Sequence, residues 1–146
     1  MKTIRAIPKR IFDANFSDEQ FKQHNHVAFI SILDDDNEEK KYDTTIENFL
    51  QVRMCDIEED IIENGKIIHT AASDAELRRI VEFVNRHKDK TQFIVHCSAG
   101  VSRSGAVATF IREKFIDEVD KERFLRENNI LPNLYILNKL KEIDAV

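Results

Sequence analysis

The chain reads as an α/β protein, a mainly parallel central sheet flanked by helices. Three observations predict this. Val27–Leu33 is a near-continuous apolar run, the pattern of a strand covered on both faces. Helical segments with apolar residues on one face alternate with the strands through the C-terminal two-thirds of the chain. At Gln92–Gly105 an apolar strand ends in a small-residue loop that feeds a helix. Ligands of open α/β sheets sit at the carboxyl ends of the strands, and that loop lies at such an end.

Taken in order, Ile4–Ile11 is apolar but contains Pro8, so it reads as an edge strand or an extended lead-in. Ser17 and Gln20 have the spacing of a capping box and open a short helix from Asp18 to about His24. After the strand at Val27–Leu33, Asp34–Lys41 breaks the pattern. Its acids are spaced faintly like a calcium loop, but the glycine and final glutamate of such a loop are misplaced, so it reads as a solvated turn. Asn48–Met54 is a further strand, followed by a long, partly apolar connection through Gly65 to about Thr70. Ser73 and Glu76 form a second capping box, and Leu77, Ile80, Val81 and Val84 share one helical face to about His87. A helix is expected from Ser104 to about Phe115, with Val107, Phe110 and Ile111 inward. Asp120 is read as the cap of a short helix carrying Phe124 and Leu125. Pro132 is read as the first residue of a closing helix packed through Leu134, Ile136, Leu137 and Leu140.

Composition bounds the function. The 146 residues argue for one domain, and 42% hydrophobic with 34% charged residues reads as a soluble globular protein. A net charge of −5 disfavours a broad nucleic-acid footprint. No apolar run approaches the ~18 residues of a membrane span, and no secretory apolar region follows the start. Two cysteines without a signal peptide suggest a reducing compartment, so a cytoplasmic location is expected. His24, His26, His69 and His87 show no ligand spacing to a cysteine, and neither metal nor cofactor is expected.

The chemistry concentrates in His96-Cys97-Ser98-Ala99-Gly100-Val101-Ser102-Arg103-Ser104. A glycine-containing loop ahead of a helix N-terminus cradles anions with its backbone N–H groups. This cradle has a thiol at its first position and a guanidinium at its last. A free thiol is only a few per cent ionised at neutral pH, and amide donors, a helix N-terminus and an arginine all favour the anion. Arg103 also offers a planar fork that holds two oxygens of a phosphate or sulfate, where a lysine would be a point charge. A nucleophilic thiolate beneath a tetrahedral oxyanion suggests phosphoryl transfer through a cysteinyl-phosphate. Such a reaction also needs a proton for the leaving oxygen, hence a carboxylic acid across the pocket. Asp56, just past the strand ending at Met54, falls on the same sheet edge as Cys97; Glu58, Glu59 and Asp60 share that segment as rivals.

The run HCSAGVSRS resembles the signature loop of the cysteine-dependent protein tyrosine phosphatases, and its wording is closest to the dual-specificity branch and its compact bacterial relatives. The resemblance implies a phosphatase-like domain over 1–146 that hydrolyses phosphomonoesters on protein side chains. It implies Cys97 as nucleophile and Arg103 as phosphate clamp. Ser104 would assist the thiolate as leaving group, and His96 would support the loop. Ser98, Ala99, Gly100, Val101 and Ser102 would bind phosphate through their backbone, their side chains mattering less. It favours Asp56 as general acid, with Asp60 second. Asn133 sits where relatives carry a Pro-Asn pair ahead of the last helix and is read as structural. Cys55 is read as an inert strand-end thiol, with a protective disulfide to Cys97 as the alternative. The partner implied is a phosphorylated protein or peptide, met by a monomer, with no nucleic acid or membrane. No lysine lies between Cys97 and Arg103, unlike the phosphoinositide branch. Other readings are a non-protein phosphomonoester, a phosphate-recognising module without turnover, and a rhodanese-type sulfurtransferase, which His96 and the Arg103-Ser104 ending disfavour.

Overall fold

The computed structural model describes residues 2–34, 42–55, 61–69, 72–116 and 121–146. Among these residues, four parallel strands form the central sheet: β1 (Thr3–Pro8), β2 (Val27–Leu33), β3 (Phe49–Arg53) and β6 (Gln92–Cys97), in the order β1-β6-β2-β3. Pro8 on the edge strand β1 registers with Cys97, and Ser31 of β2 registers with His96. Pro8 is tolerated because β1 is an edge and Pro8 is its last residue.

Alternation along the strands sends side chains to two cores. Ala28, Ile30, Ile32, Phe93 and Val95 face the larger one, closed by helices α3 (Asp74–Arg86), α4 (Arg103–Phe115) and α6 (Leu134–Asp144). Ile7, Val27, Phe29, Phe49 and Ile94 face the other, closed by α1 (Lys9–Asn15) and α2 (Asp18–Gln23). Phe12, Phe21, Phe29, Tyr42 and Phe49 form an aromatic cluster there, with Phe21 stacked on Phe49 at 4.5 Å between ring centroids. Every residue of β2 is buried, as a strand covered on both faces requires.

Several local expectations hold. The Ser73 side chain accepts from the Glu76 backbone N–H, opening α3 as a capping box should. Others need correction. Ser17 makes no side-chain cap to the backbone; its hydroxyl donates instead to Gln20 Oε1 at 3.2 Å. Pro132 is not the first residue of the closing helix. The N-cap is Asn133, whose side-chain oxygen accepts from the Ile136 N–H at 3.0 Å, so Pro132 lies outside the helix. The connection through Gly65 is an antiparallel hairpin, β4 (Ile61–Glu63) and β5 (Lys66–His69). Asn64 and Gly65 turn it with φ of 52° and 76°, the Asn-Gly signal of a tight hairpin turn. Helix α5 (Lys121–Asn128) follows α4, and the expected cap Asp120 lies outside the described residues. Helix α4 is buried nearly all round over its first ten residues, because the sheet lies on one side and α6 on the other. Among the described residues no helix is long and apolar enough to cross a membrane.

Candidate active site

Strand β6 delivers Cys97 to the carboxyl edge of the sheet, and the chain then loops through Ser98–Ser102 into α4. The loop is tied down on both flanks by backbone hydrogen bonds. Lys9 N–H donates to Ser98 O at 3.2 Å from the β1–α1 junction. From the α5–α6 connection, Leu131 N–H donates to Val101 O and Asn133 N–H to Ser102 O, each at 3.1 Å. Gly100 has φ of 74°, and a Cβ there would sit 2.4 Å from the carbonyl carbon of Ile7. No residue but glycine fits between this loop and β1 without moving one of them. Asn133, read as structural, thus both caps α6 and holds the loop.

Cys97 is buried at the bottom of the cradle. Gly100 N–H donates to its Sγ at 3.3 Å, and Ser104 Oγ stands 3.2 Å from the same sulfur. The loop begins α4 at Arg103, so the first-turn amides have no intrahelical partners and their partial positive charge faces the loop end.

Arg103 is buried and held by three acceptors. Nη1 donates to Asp34 Oδ1 at 2.6 Å and to Met54 O at 2.7 Å, and Nη2 donates to Ser98 Oγ at 3.2 Å. The end of β3 is therefore at the clamp, while Asp56 and Asp60, with Glu58 and Glu59, lie outside the described residues. Asp34, which the sequence places in a solvated turn, instead meets the loop, because it lies one residue past β2, the strand paired with β6. Ser98 also departs from expectation, because its hydroxyl takes part in the Arg103 contacts.

His96 is fully buried, and its Nε2 lies 2.6 Å from Ser31 Oγ. Its Nδ1 faces the Cys97 carbonyl at 3.5 Å. Burial pushes the imidazole down to about 4. It is therefore neutral near pH 7, and the contacts suit Nδ1–H pointing at Cys97 O with Nε2 accepting from Ser31. Gln51 Nε2 donates on to Ser31 Oγ at 3.4 Å. A neutral, buried ring suits support of the loop. Cys55 and Cys97 are both thiols, without a disulfide between them.

Beside the loop, a cleft of about 510 Å³ is lined by Val101, Glu122, Leu125, Arg126, Ile130 and Leu131. Leu131 is three-quarters exposed on its rim. Val101 belongs to both the loop and the cleft.

The protein-tyrosine phosphatase family model matches residues 66–126, which include the whole cradle. No curated protein matches the sequence. Human DUSP28 shares the fold with a TM-score of 0.54 at 16% identity, over 99% of this chain and 93% of that one. PTPMT1 does so with a TM-score of 0.51 at 18% identity, over 98% and 92%. PTPMT1 in complex with PI(5)P gives 0.50 at 16%, over 98% and 90%. Identities this low speak for the fold alone. Over residues 66–126, the stretch that holds the cradle, the chain is similar to the protein-tyrosine phosphatases.

Proposed function

We propose that this chain hydrolyses phosphomonoesters on protein side chains, phosphotyrosine and also phosphoserine or phosphothreonine, through a cysteinyl-phosphate at Cys97. The observation that carries this reading is the seat of the sulfur: Gly100 N–H at 3.3 Å, Ser104 Oγ at 3.2 Å, and Arg103 closing the same loop. In the first step Cys97 Sγ attacks phosphorus and the bond to the ester oxygen breaks. That oxygen leaves as it takes a proton from an acid, assigned to Asp56 with Asp60 as its rival. The Met54 carbonyl on Arg103 supports this assignment, because it brings the chain to the clamp two residues before Asp56. In the second step water attacks phosphorus, the S–P bond breaks, and inorganic phosphate departs. Ser104 then donates to the sulfur as it regains its charge. Catalysis here rests on orientation and on donors already aimed at developing charge.

A phosphoinositide is the second reading, raised by the PTPMT1 complex with PI(5)P. The five residues between Cys97 and Arg103 carry no basic side chain to meet further phosphates, which favours the protein substrate.

The test is phosphate release from p-nitrophenyl phosphate, from phosphotyrosine and phosphoserine peptides, and from phosphoinositides, beside Cys97→Ser and Asp56→Asn. Cys97→Ser should abolish turnover, and acid quenching of the wild type should trap phosphate on Cys97. Asp56→Asn should lose ~10²–10⁴ in turnover of peptides, whose leaving group needs a proton. An unchanged peptide rate in Asp56→Asn moves the acid to Asp60. Full activity of Cys97→Ser overturns the mechanism.

A further inference from the structure

Helix α5 ends in a way that fixes the wall beside the phosphate loop. Asn129 stands in the left-handed region with φ of 54°. Its N–H donates to Arg126 O and Ile130 N–H donates to Leu125 O, each at 3.0 Å. This is the Schellman pattern, in which the chain reverses and an apolar residue past the helix packs back on its last turn. The reversal buries Ile130 beside α4, where a Cβ on Gly105 would lie 3.0 Å from the Ile130 Cβ. It then carries Leu131 to the loop, where Leu131 N–H donates to Val101 O at 3.1 Å. Main-chain hydrogen bonds thus hold the α5–α6 connection against the loop.

The cleft of about 510 Å³ lies between them, with Val101, Leu125, Ile130 and Leu131 as its apolar lining. That volume is in the range of ligand sites, which are mostly apolar and preformed. A single exposed leucine is ordinary on a protein surface. Here Leu131 and Leu134, 75% and 62% exposed, flank the Pro132-Asn133 pair through which the connection meets the loop. Glu122 and Arg126 also line the cleft. They stand one turn apart on α5 with opposite charges, so the cleft carries no net charge and selection falls to apolar contact. Val101 decides the occupant, because it belongs to the cradle and also lines the cleft. An extended chain advances about 3.3 Å per residue. A polypeptide whose phosphate sits in the cradle therefore meets the cleft with a residue close to the phosphorylated one.

We propose that this cleft is a substrate-flank subsite, which selects phosphorylated polypeptides carrying an apolar side chain next to the phosphorylated residue. Leu125 and Leu131 are its specificity-determining side chains. This selection rests on the reading of the loop as a phosphomonoester site and narrows its substrate class.

The experiment compares two phosphotyrosine peptides that differ only in the residues beside the phosphotyrosine, leucine in one and serine in the other. The reference is p-nitrophenyl phosphate, which has no flank. The wild type should favour the leucine peptide by about 10-fold in kcat/KM, mainly through KM, the scale of one apolar side chain in a pocket. Leu125→Gln and Leu131→Gln should each shrink that ratio and leave p-nitrophenyl phosphate unchanged. Leu131→Gln alters an exposed side chain and keeps the backbone bond to Val101, so it is read even where Leu125→Gln unfolds. Equal rates for the two peptides in the wild type, or a ratio that survives in every folded leucine variant, overturns the proposal. A parallel fall for p-nitrophenyl phosphate also overturns it, since the leucines would then serve the loop. Wild-type dimerisation that Leu131→Gln abolishes, without any peptide preference, gives the cleft to a second copy and overturns it too. A wild type that hydrolyses none of the three overturns the hydrolase reading alone, and direct titration of the two peptides onto it still decides the cleft by their affinity ratio.

Discussion

Ser31 Oγ lies 2.6 Å from His96 Nε2, with both residues fully buried inside the central sheet. The contact follows from register, because Ser31 on β2 is the neighbour of His96 on β6. It places a polar pair one residue before the nucleophile, in an interior where an unsatisfied group is costly.

Ser31→Ala leaves His96 Nε2 without its partner. The expected loss of stability is about 1–3 kcal/mol, the usual cost of orphaning a buried polar atom. It should also loosen the ring behind Cys97. Urea unfolding reads the first effect, and the rate of Cys97 alkylation by iodoacetate against pH reads the second. An unaltered alkylation profile would remove Ser31 and His96 from any part in tuning the thiol.

His96 makes stability depend on pH in a window of its own. Its folded value is about 4 and its ordinary value 6.5. Between these the unfolded chain binds a proton that the folded chain refuses, so stability falls as the pH drops from about 6.5 towards 4. The full effect is on the order of 3 kcal/mol. Carboxyls contribute below that window. Burial opposes ionisation of Asp13, but hydrogen bonds from Lys9 and Tyr42 outweigh it and hold the carboxyl below its usual range. Denaturant unfolding at pH 7 and pH 5 should show the loss in the wild type and a flatter response in His96→Asn.

Gly100→Ala and Gly65→Ala should separate steric from conformational cost. Both glycines have positive φ, at 74° and 76°. At Gly100 the added methyl meets the backbone of Ile7 and Pro8 at 2.4 Å, whereas at Gly65 nothing lies within 4 Å. Gly65→Ala is expected to cost about 1 kcal/mol. Gly100→Ala must push the loop from β1 and should lose phosphate binding, read by direct titration. Equal melting temperatures and phosphate affinities in the two variants would count against the close fit.

Leu131→Asp tests whether a peptide crosses the cleft beside Val101. The variant places a charge on the exposed rim and leaves the Leu131 N–H to Val101 bond intact. For phosphopeptides with apolar residues flanking the phosphorylated one, kcat/KM should fall by about 10-fold, the scale of one lost apolar contact. For p-nitrophenyl phosphate it should stay the same. A parallel fall for both substrates would mean the cleft serves the loop and not the peptide.

The segment Ile4–Ile11, expected as an edge strand or extended lead-in, splits into β1 and the start of α1. The strands at Val27–Leu33 and Asn48–Met54, the apolar run into Cys97, the main helices and the cradle were legible in the sequence. These are local patterns: a buried apolar run at Val27–Leu33, a capping box at Ser73, a thiol and a guanidinium bracketing a glycine loop. The hairpin at Asn64-Gly65 was also legible in principle, since Asn-Gly sets the turn by backbone conformation alone. Which distant residues meet the loop depends instead on how the strands pair. Asp34 looks like one acid in a polar turn, and Ser31 like one hydroxyl in an apolar strand. Pairing β2 directly with β6 brings Asp34 to Arg103 and Ser31 to His96. Sheet order arises from how two cores pack around four strands, and no residue near Asp34 in the chain encodes which strand will lie beside it.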